Sequence, residues 1–169
     1  MPERIENIAD VKLREAVSND AMLLFDWLNQ PDRIASSLQT HGPVPLEHHL
    51  KWLADRFADP DCMIWILDTT DGPAGQLRLQ NTRAKAEVSI FVAPEFRGRG
   101  IAAAGIAAAA EYCRDTYVHG RLLARVRRDN AASARLFSLA GFVLVEEFDN
   151  FSHFALDTRT VLTRPKTDG

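Results

Sequence analysis

Glycine and arginine alternate at Arg97-Gly98-Arg99-Gly100, immediately ahead of Ile101-Ala102-Ala103. The residues before them, Val88 to Val92, read as a strand, and Gly100 to Tyr117 reads as a helix. A helix that opens on such a loop turns its first, unpartnered N–H groups toward one point, where the helix dipole also favours negative charge. Gly98 and Gly100 let the backbone approach a pyrophosphate without a Cβ in the way, and Arg97 and Arg99 add positive charge. The spacing predicts a phosphate cradle. Two other glycine-rich loops fit less well. A dinucleotide-binding turn requires G-x-G-x-x-G after the first strand, and here the loop follows the fourth strand and lacks the third glycine. A Walker loop requires Gly-Lys-[Ser/Thr], which is missing.

The rest of the chain must position that loop. Val11 to Val17 alternates as a first strand, and Ser18 or Asn19 is suited to cap the helix that follows. That helix carries Met22, Leu23, Phe25, Trp27 and Leu28 as its apolar residues and stops before Pro31. A short turn or helix covers Asp32 to Ser37. A second long helix starts at Pro45 and presents Leu46, Leu50, Leu53 and Phe57. Strands follow at 62–67, 74–80 and 86–92, with Asp71-Gly72 as a turn. After the Gly100–Tyr117 helix come a strand at 121–127, a helix at 130–139 closed by Gly141, and a hairpin of 142–148 and 151–157 around Asp149-Asn150. The alanines from Ala102 to Ala110 read as a helix packed close to a sheet, since alanine has high helix propensity and little bulk. The order is β-α-α-β-β-β-α-β-α-β-β. This is a mixed α/β fold (an α+β mixed sheet) read as one domain over 1–169, with its core at about 11–157. The polar tail from Arg164 is expected to fray.

Bulk properties narrow the function. The chain has 169 residues, 46% of them hydrophobic and 25% charged, with a net charge of −3. That balance, without a long basic run, argues against nucleic acid or an anionic membrane surface as partner. Cys62 and Cys113 stand far apart, so neither a disulfide framework nor a zinc or other metal site is expected. Met1 to Glu6 is charged and lacks the apolar stretch of a signal peptide. No apolar run reaches the ~18 residues of a membrane span. A cytoplasmic domain is the expectation.

The motif Arg97-x-x-Gly100-x-Ala102, preceded by a strand and Pro94-Glu95-Phe96, resembles the [Arg/Gln]-x-x-Gly-x-[Gly/Ala] signature of the GNAT superfamily of N-acetyltransferases. A second element, Asn130-x-x-Ser133-x-x-x-Phe137-x-x-x-Gly141-Phe142, follows at the usual distance, and the order of elements fits from about Val11 to Leu156. The resemblance implies the GNAT acyl-CoA N-acyltransferase fold and acetyl-CoA as the acetyl donor, with no metal. It implies that the fourth and fifth strands splay at a bulge and that the pantetheine arm pairs with Phe91 and Val92. The pyrophosphate would rest on Arg97, Gly98, Arg99, Gly100, Ile101, Ala102 and Ala103. The Val92 N–H would polarise the thioester carbonyl, and Asn130, Ser133 and Phe137 would line the far side of the arm. Asn130 fits equally well as the N-cap of its helix.

For the proton taken from the acceptor amine, Glu87 is the first candidate, directly or through water; it also reads as a solvated strand-edge carboxylate. His48 and His49 are further candidates. Many relatives place a tyrosine, as general acid, where this chain has Phe137. Tyr112 and Tyr117 lie in the preceding helix and are poor substitutes, so the acid stays unassigned. Arg125, Arg127 and Arg128 suit the adenosine phosphate end of the cofactor or a solvated basic turn.

The acceptor site should come from residues 19–58 and the closing hairpin. Trp27-x-Asn29-x-Pro31-x-x-Arg33, Glu47-His48-x-x-Lys51-Trp52 and Gly75-Gln76-Leu77-Arg78 together resemble the branch acting on nucleotide-linked amino sugars, of the pseudaminic and legionaminic acid type. Trp27, Arg33, His49 and Trp52 are the substrate-binding candidates implied: indoles stack on a base or sugar, and arginine pairs with phosphate. Core packing is the alternative for both tryptophans. Two further readings stand beside this one. The chain could acetylate protein N-termini, as the ribosomal-protein alanine acetyltransferases do, or could be a non-catalytic acetyl-CoA-binding module. Many relatives dimerise through sheet edges, which implies a homodimer.

Overall fold

A computed structural model describes residues 11–38 and 41–160. The readings of Met1 to Glu6 and of the tail from Arg164 lie outside them. Seven strands form one sheet in the order β1-β2-β3-β4-β5-β7-β6. They are β1 (Lys12–Glu15), β2 (Met63–Thr69), β3 (Gly72–Gln80), β4 (Ala86–Val92), β5 (Arg121–Arg127), β6 (Val143–Glu147) and β7 (Phe151–Asp157). Every neighbouring pair is antiparallel except β4 and β5, which run parallel. The crossover between that pair is α4 (Ile101–Thr116), a connection that parallel strands require. Three helices precede β2: α1 (Ala21–Leu28), α2 (Pro31–Ser36) and α3 (Leu46–Ala58); α5 (Ala131–Leu139) lies between β5 and β6. Residues 31–36, left as a turn or helix by the sequence, add one helix to the expected order.

The two faces of the sheet bury separate cores, and the period of two along β2 shows why. Trp65 and Leu67 face a large cluster with Leu77, Val88, Ile106 and Leu122, covered by α4 and α5. Ile64 and Ile66 face a smaller one with Leu24, Trp27, Leu53 and Phe91, covered by α1 and α3. A strand buried on both sides reads as the unbroken apolar run found at 63–67. The alanine-rich helix does pack close: a Cβ on Gly105 would stand 3.0 Å from Leu67 Cδ2. Both cysteines are buried and free.

Several local expectations change. Ser18 and Asn19 do not cap α1; they sit in a 3-10 turn, Ser18–Asp20, and α1 begins without a side-chain cap. Asp20 folds back instead, accepting the Val17 N–H at 2.8 Å and two bonds from Arg14, whose Nε also reaches Asp68 at 2.7 Å. The Arg14 bonds, foremost among the causes, hold the Asp20 carboxyl below its ordinary pKa. β1, β2 and the approach to α1 are thereby tied together. On α3 the buried residues are His49 and Leu53, whereas Leu46, Leu50 and Phe57 are 38%, 44% and 39% exposed. Met22 on α1 is likewise exposed. The helices are rotated relative to their apolar residues, because they cover a polar cleft as well as a core.

Gly75 marks the closest approach of β3 and β4. A Cβ there would lie 2.2 Å from the Phe91 carbonyl oxygen. Gly75→Ala should therefore destabilise the protein by about 1–3 kcal/mol, as overpacking does. Gly42→Ala, where nothing lies within 4 Å of the added carbon, should stay within about 0.5 kcal/mol of the parent. Urea midpoints of the two variants measure the difference; equal midpoints would contradict the reading of this contact.

Candidate active site

The parallel pairing of β4 with β5 lasts for only three residue pairs, Ala86–Leu122, Glu87–Leu123 and Val88–Ala124. Beyond them β4 stays with β3, in unbroken register to Gly75–Val92, while β5 stays with β7 to Arg127–Phe151. The strands part as expected, but without a bulge in β4. Each simply follows its antiparallel neighbour. The Ala93 N–H donates to Ala74 O on the β3 side at 2.8 Å. Alternation along the strand then turns the Val92 N–H and carbonyl toward the open side.

A cleft of about 520 Å³ occupies the gap and is lined from both faces of the sheet. Val88, Ile90, Val126 and Phe137 bound it on the α4–α5 side; Glu87, Ser89, Phe91 and Arg125 bound it on the other. The volume falls within the range of about 300–1,000 Å³ typical of small-molecule sites.

Val92 and residues 97–103 are not among the residues that line the cleft. In the loop ahead of α4, Gly98 and Gly100 take φ of +76° and +75°. The left-handed backbone is what requires glycine here, since nothing lies within 4 Å of an added Cβ at either position. Gly100 is the N-cap of α4 and supplies no side chain, and the first helical bond inward is Ala104 N–H to Gly100 O at 3.0 Å. The amides of Ile101, Ala102 and Ala103 therefore face outward as the unpaired first turn of a sixteen-residue helix. The Ile101 side chain is buried in the core, so it offers only its backbone. The charges on the two arginines are partly spoken for. Arg97 pairs with Asp32 of α2 and donates from Nε to Val92 O at 3.0 Å. Arg99 reaches Asp71 at 3.1 Å and the Glu95 carbonyl at 3.3 Å.

Glu87 lines the cleft on the same face of β4 as Ser89 and Phe91, with Oε2 3.6 Å from Arg125 Nη2. His48 and His49 also line it. His49 Nε2 lies 2.9 Å from Ala21 O; a carbonyl only accepts, so Nε2 carries the proton. Burial, the main cause, holds its pKa below the ordinary histidine value, which keeps the ring neutral at pH 7. Asn130 performs the capping role: its Oδ1 accepts the Ser133 N–H at 3.1 Å, and both residues line the cleft. Phe137 is buried edge-on to Phe142, with ring centres 5.0 Å apart. Tyr112 and Tyr117 pack against Trp65 and His119, outside the cleft.

On the acceptor side, Arg33, His49 and Trp52 reach the cleft. Trp27 does not. It is 5% exposed and packs on Phe91 at 6.1 Å within the smaller core, because Leu24 and Trp27 together form the buried stripe of α1. Arg127 lines the cleft and donates to Ala35 O of α2 at 2.7 Å, while Arg128 donates to Phe148 O at 3.4 Å. That basic turn is thus held largely by its own neighbours. Gln76 and Arg78, named in the sequence only as parts of a motif, prove to be lining residues. Their signal was parity. Polar residues at 76, 78 and 80 alternate with the fully buried Leu77 and Leu79.

The sequence profile of the acetyltransferase (GNAT) domain matches residues 10–143. No curated protein matches the sequence significantly. Among solved structures, the chain resembles a spermidine N-acetyltransferase from Vibrio cholerae in complex with CoA and spermine; the two are 19% identical over 88% of this chain and 96% of that one, with a TM-score of 0.76. A domain from Methanocaldococcus jannaschii is 18% identical over 88% of this chain and 99% of its own, with a TM-score of 0.78. The Campylobacter jejuni N-acetyltransferase PseH is 18% identical over 87% and 97%, with a TM-score of 0.67. With the domain profile spanning most of the described fold, and a cleft where β4 and β5 part, the chain belongs to the GNAT acetyltransferase family.

Proposed function

We infer that this protein moves an acetyl group from acetyl-CoA to the primary amine of a small molecule by direct attack. The observation that carries this reading is the unpaired edge of β4 running from Ser89 to Val92 and ending beside the uncapped first turn of α4. These residues fit the donor. An extended amide-bearing arm suits an open strand edge, and a pyrophosphate suits outward-facing helix amides with no side chain above them. Phe91 and Val92 would hold the arm, residues 97–103 the pyrophosphate, and Asn130, Ser133 and Phe137 the opposite wall. The donor supplies an acetyl group activated as a thioester.

The Val92 N–H, turned away from β3, would donate to the acetyl carbonyl oxygen, where negative charge grows during attack. Glu87 takes one proton from the acceptor ammonium, directly or through one water, so that the freed lone pair forms the new C–N bond as the C–S bond breaks; the second proton, shed by the then cationic nitrogen, goes to the departing thiolate or to water and gives the free thiol. Phe137 has no proton to give. A thiol of pKa ~8.5 leaves readily as thiolate, which lessens the need for a fixed acid.

For the acceptor, we take an amino sugar linked to a nucleotide. Arg33, His49 and Trp52 in the cleft support this reading, with chemistry suited to phosphate, sugar and base. The likeness to a spermidine N-acetyltransferase supports a small-molecule amine in general.

Two substitutions test these roles. Ala103 is exposed in the first turn of α4, where glutamate is well tolerated by the helix. Ala103→Glu should weaken acetyl-CoA binding by about tenfold or more, whereas Ala103→Gln should change it little; equal affinities by calorimetry would remove the cradle. Glu87→Gln should lower kcat/KM by about 10²-fold or more with acetyl-CoA affinity intact. Unchanged turnover, read as thiol release, would take the base role from Glu87.

A further inference from the structure

Two arginines line the cleft without counter-ions among the described residues. Arg33 comes from α2 and Arg78 from β3. Arg33 donates from Nη2 to Gln76 Oε1 at 3.2 Å and lies over the Phe91 ring at 4.8 Å. Its Nη1 is closed off from solvent and has no hydrogen-bond partner. Arg78 lies over the Trp52 ring at 5.1 Å, and its Nε is equally enclosed and unpartnered. Neither makes a salt bridge among the described residues. The carboxylates nearby are committed elsewhere: Asp32 to Arg97, and Glu87 toward Arg125. Burial, and next the like charge of Arg78, bring the Arg33 guanidinium down to about 10, and burial lowers Arg78 also. Arginine side chains are not deprotonated in proteins, so both carry charge.

A buried charge is costly unless paired. Here two adjoin in a cavity whose lining carries four arginines (Arg33, Arg78, Arg125, Arg127) and a single carboxylate, Glu87. Guanidinium groups lining such a space without a carboxylate partner select an anion, and a planar guanidinium matches the oxygens of a carboxylate or phosphate. A polyamine would bring more positive charge to the same place, where like-charge contact is unfavourable.

Building on the acetyltransferase reading above, we propose that the acceptor is an amine that also carries a carboxylate or phosphate, held between Arg33 and Arg78, and that these arginines exclude polycationic amines. The nucleotide-linked amino sugar falls within this class on the phosphate side; an amino acid or peptide with a free carboxylate falls within it on the other. The anionic group sits on the β3 side of Phe91 and the amine at Glu87. Arg33 and Arg78 therefore set specificity and take no part in bond making.

The test uses the full chain with acetyl-CoA and matched amines: UDP-glucosamine against glucosamine, glycylglycine against its C-terminal amide, and spermidine. In the parent protein one anionic amine should exceed its neutral counterpart in kcat/KM by about 10²-fold, and spermidine should be the poorest. The pair that shows the preference tells phosphate from carboxylate. Arg78→Gln should collapse the preference through KM, Arg78→Lys should keep part of it, and neither should change acetyl-CoA affinity. A second readout needs no turnover: UDP or glycylglycine should saturably change the fluorescence of Trp52, and Arg78→Gln or Trp52→Phe should abolish the change. Spermidine or neutral amines as the best acceptors, a preference kept in Arg78→Gln, or a loss of acetyl-CoA binding in that variant would each overturn the proposal. Saturable anion binding at Trp52 without thiol release from any amine would uphold this site and count against acetyl transfer. No anion effect on fluorescence, together with no preference in turnover, would overturn the site whatever the fate of acetyl transfer.

Discussion

A parallel strand pair can separate without unravelling its sheet if each member has another partner to follow. β4 is held along its whole length by β3, and β5 along its whole length by β7, so their mutual pairing can stop at Val88–Ala124. Beyond that point the β4 main-chain groups that face away from β3, the Val92 N–H among them, have no strand opposite, and the Val92 carbonyl is met by the Arg97 side chain instead. Buried backbone polar groups are rarely left without a partner. An edge of this kind calls for an extended ligand, and its position fixes what surrounds it: α4 leaves β4 at Gly100 with its amides outward, and α5 borders the far wall with Phe137.

The tightness at Gly75 serves the same geometry. Because residue 75 has no side chain to push the Phe91 carbonyl away, the end of β4 can lie close against β3, on the side away from the gap toward β5. On the opposite face, Arg97 crosses from the phosphate loop to Asp32 and to the Val92 carbonyl, linking the loop to α2. α2 also carries Arg33, so the donor loop and the proposed anion site share one short helix. The chemistry expected at Glu87 lies between them, and the charge around it is strongly positive. Under the proposal, that excess of arginine disfavours a polycation.

Much of this was legible in the sequence. Three strand ranges, 86–92, 121–127 and 151–157, agree with the structure, because apolar alternation or β-branched runs bounded by Gly, Pro or Asn leave little choice of period. The turn at Gly98 and Gly100 was readable because its glycines are demanded by local backbone conformation. What escaped depended on tertiary partners. Asp20, not Ser18, satisfies the chain before α1 because Arg14 fixes its carboxylate. The buried stripe of α3 runs through His49 and Leu53, and its leucines at 46 and 50 stay exposed, since the helix lies over a polar cleft. For Trp27 the sequence left both a ligand contact and core packing open, and the packing of α1 on Phe91 assigns it to the core. The unpaired state of Arg33 and Arg78 is a property of three-dimensional neighbours, which spacing does not encode.

The central claim is that acetyl-CoA lies along the free edge of β4 with its pyrophosphate on the first turn of α4. Amide hydrogen exchange, resolved residue by residue with and without saturating acetyl-CoA, tests it most directly. The account predicts strong added protection at Val92 and at Ile101, Ala102 and Ala103, with little change along β1 and β2. Saturable binding that leaves those four amides exchanging as before would contradict it.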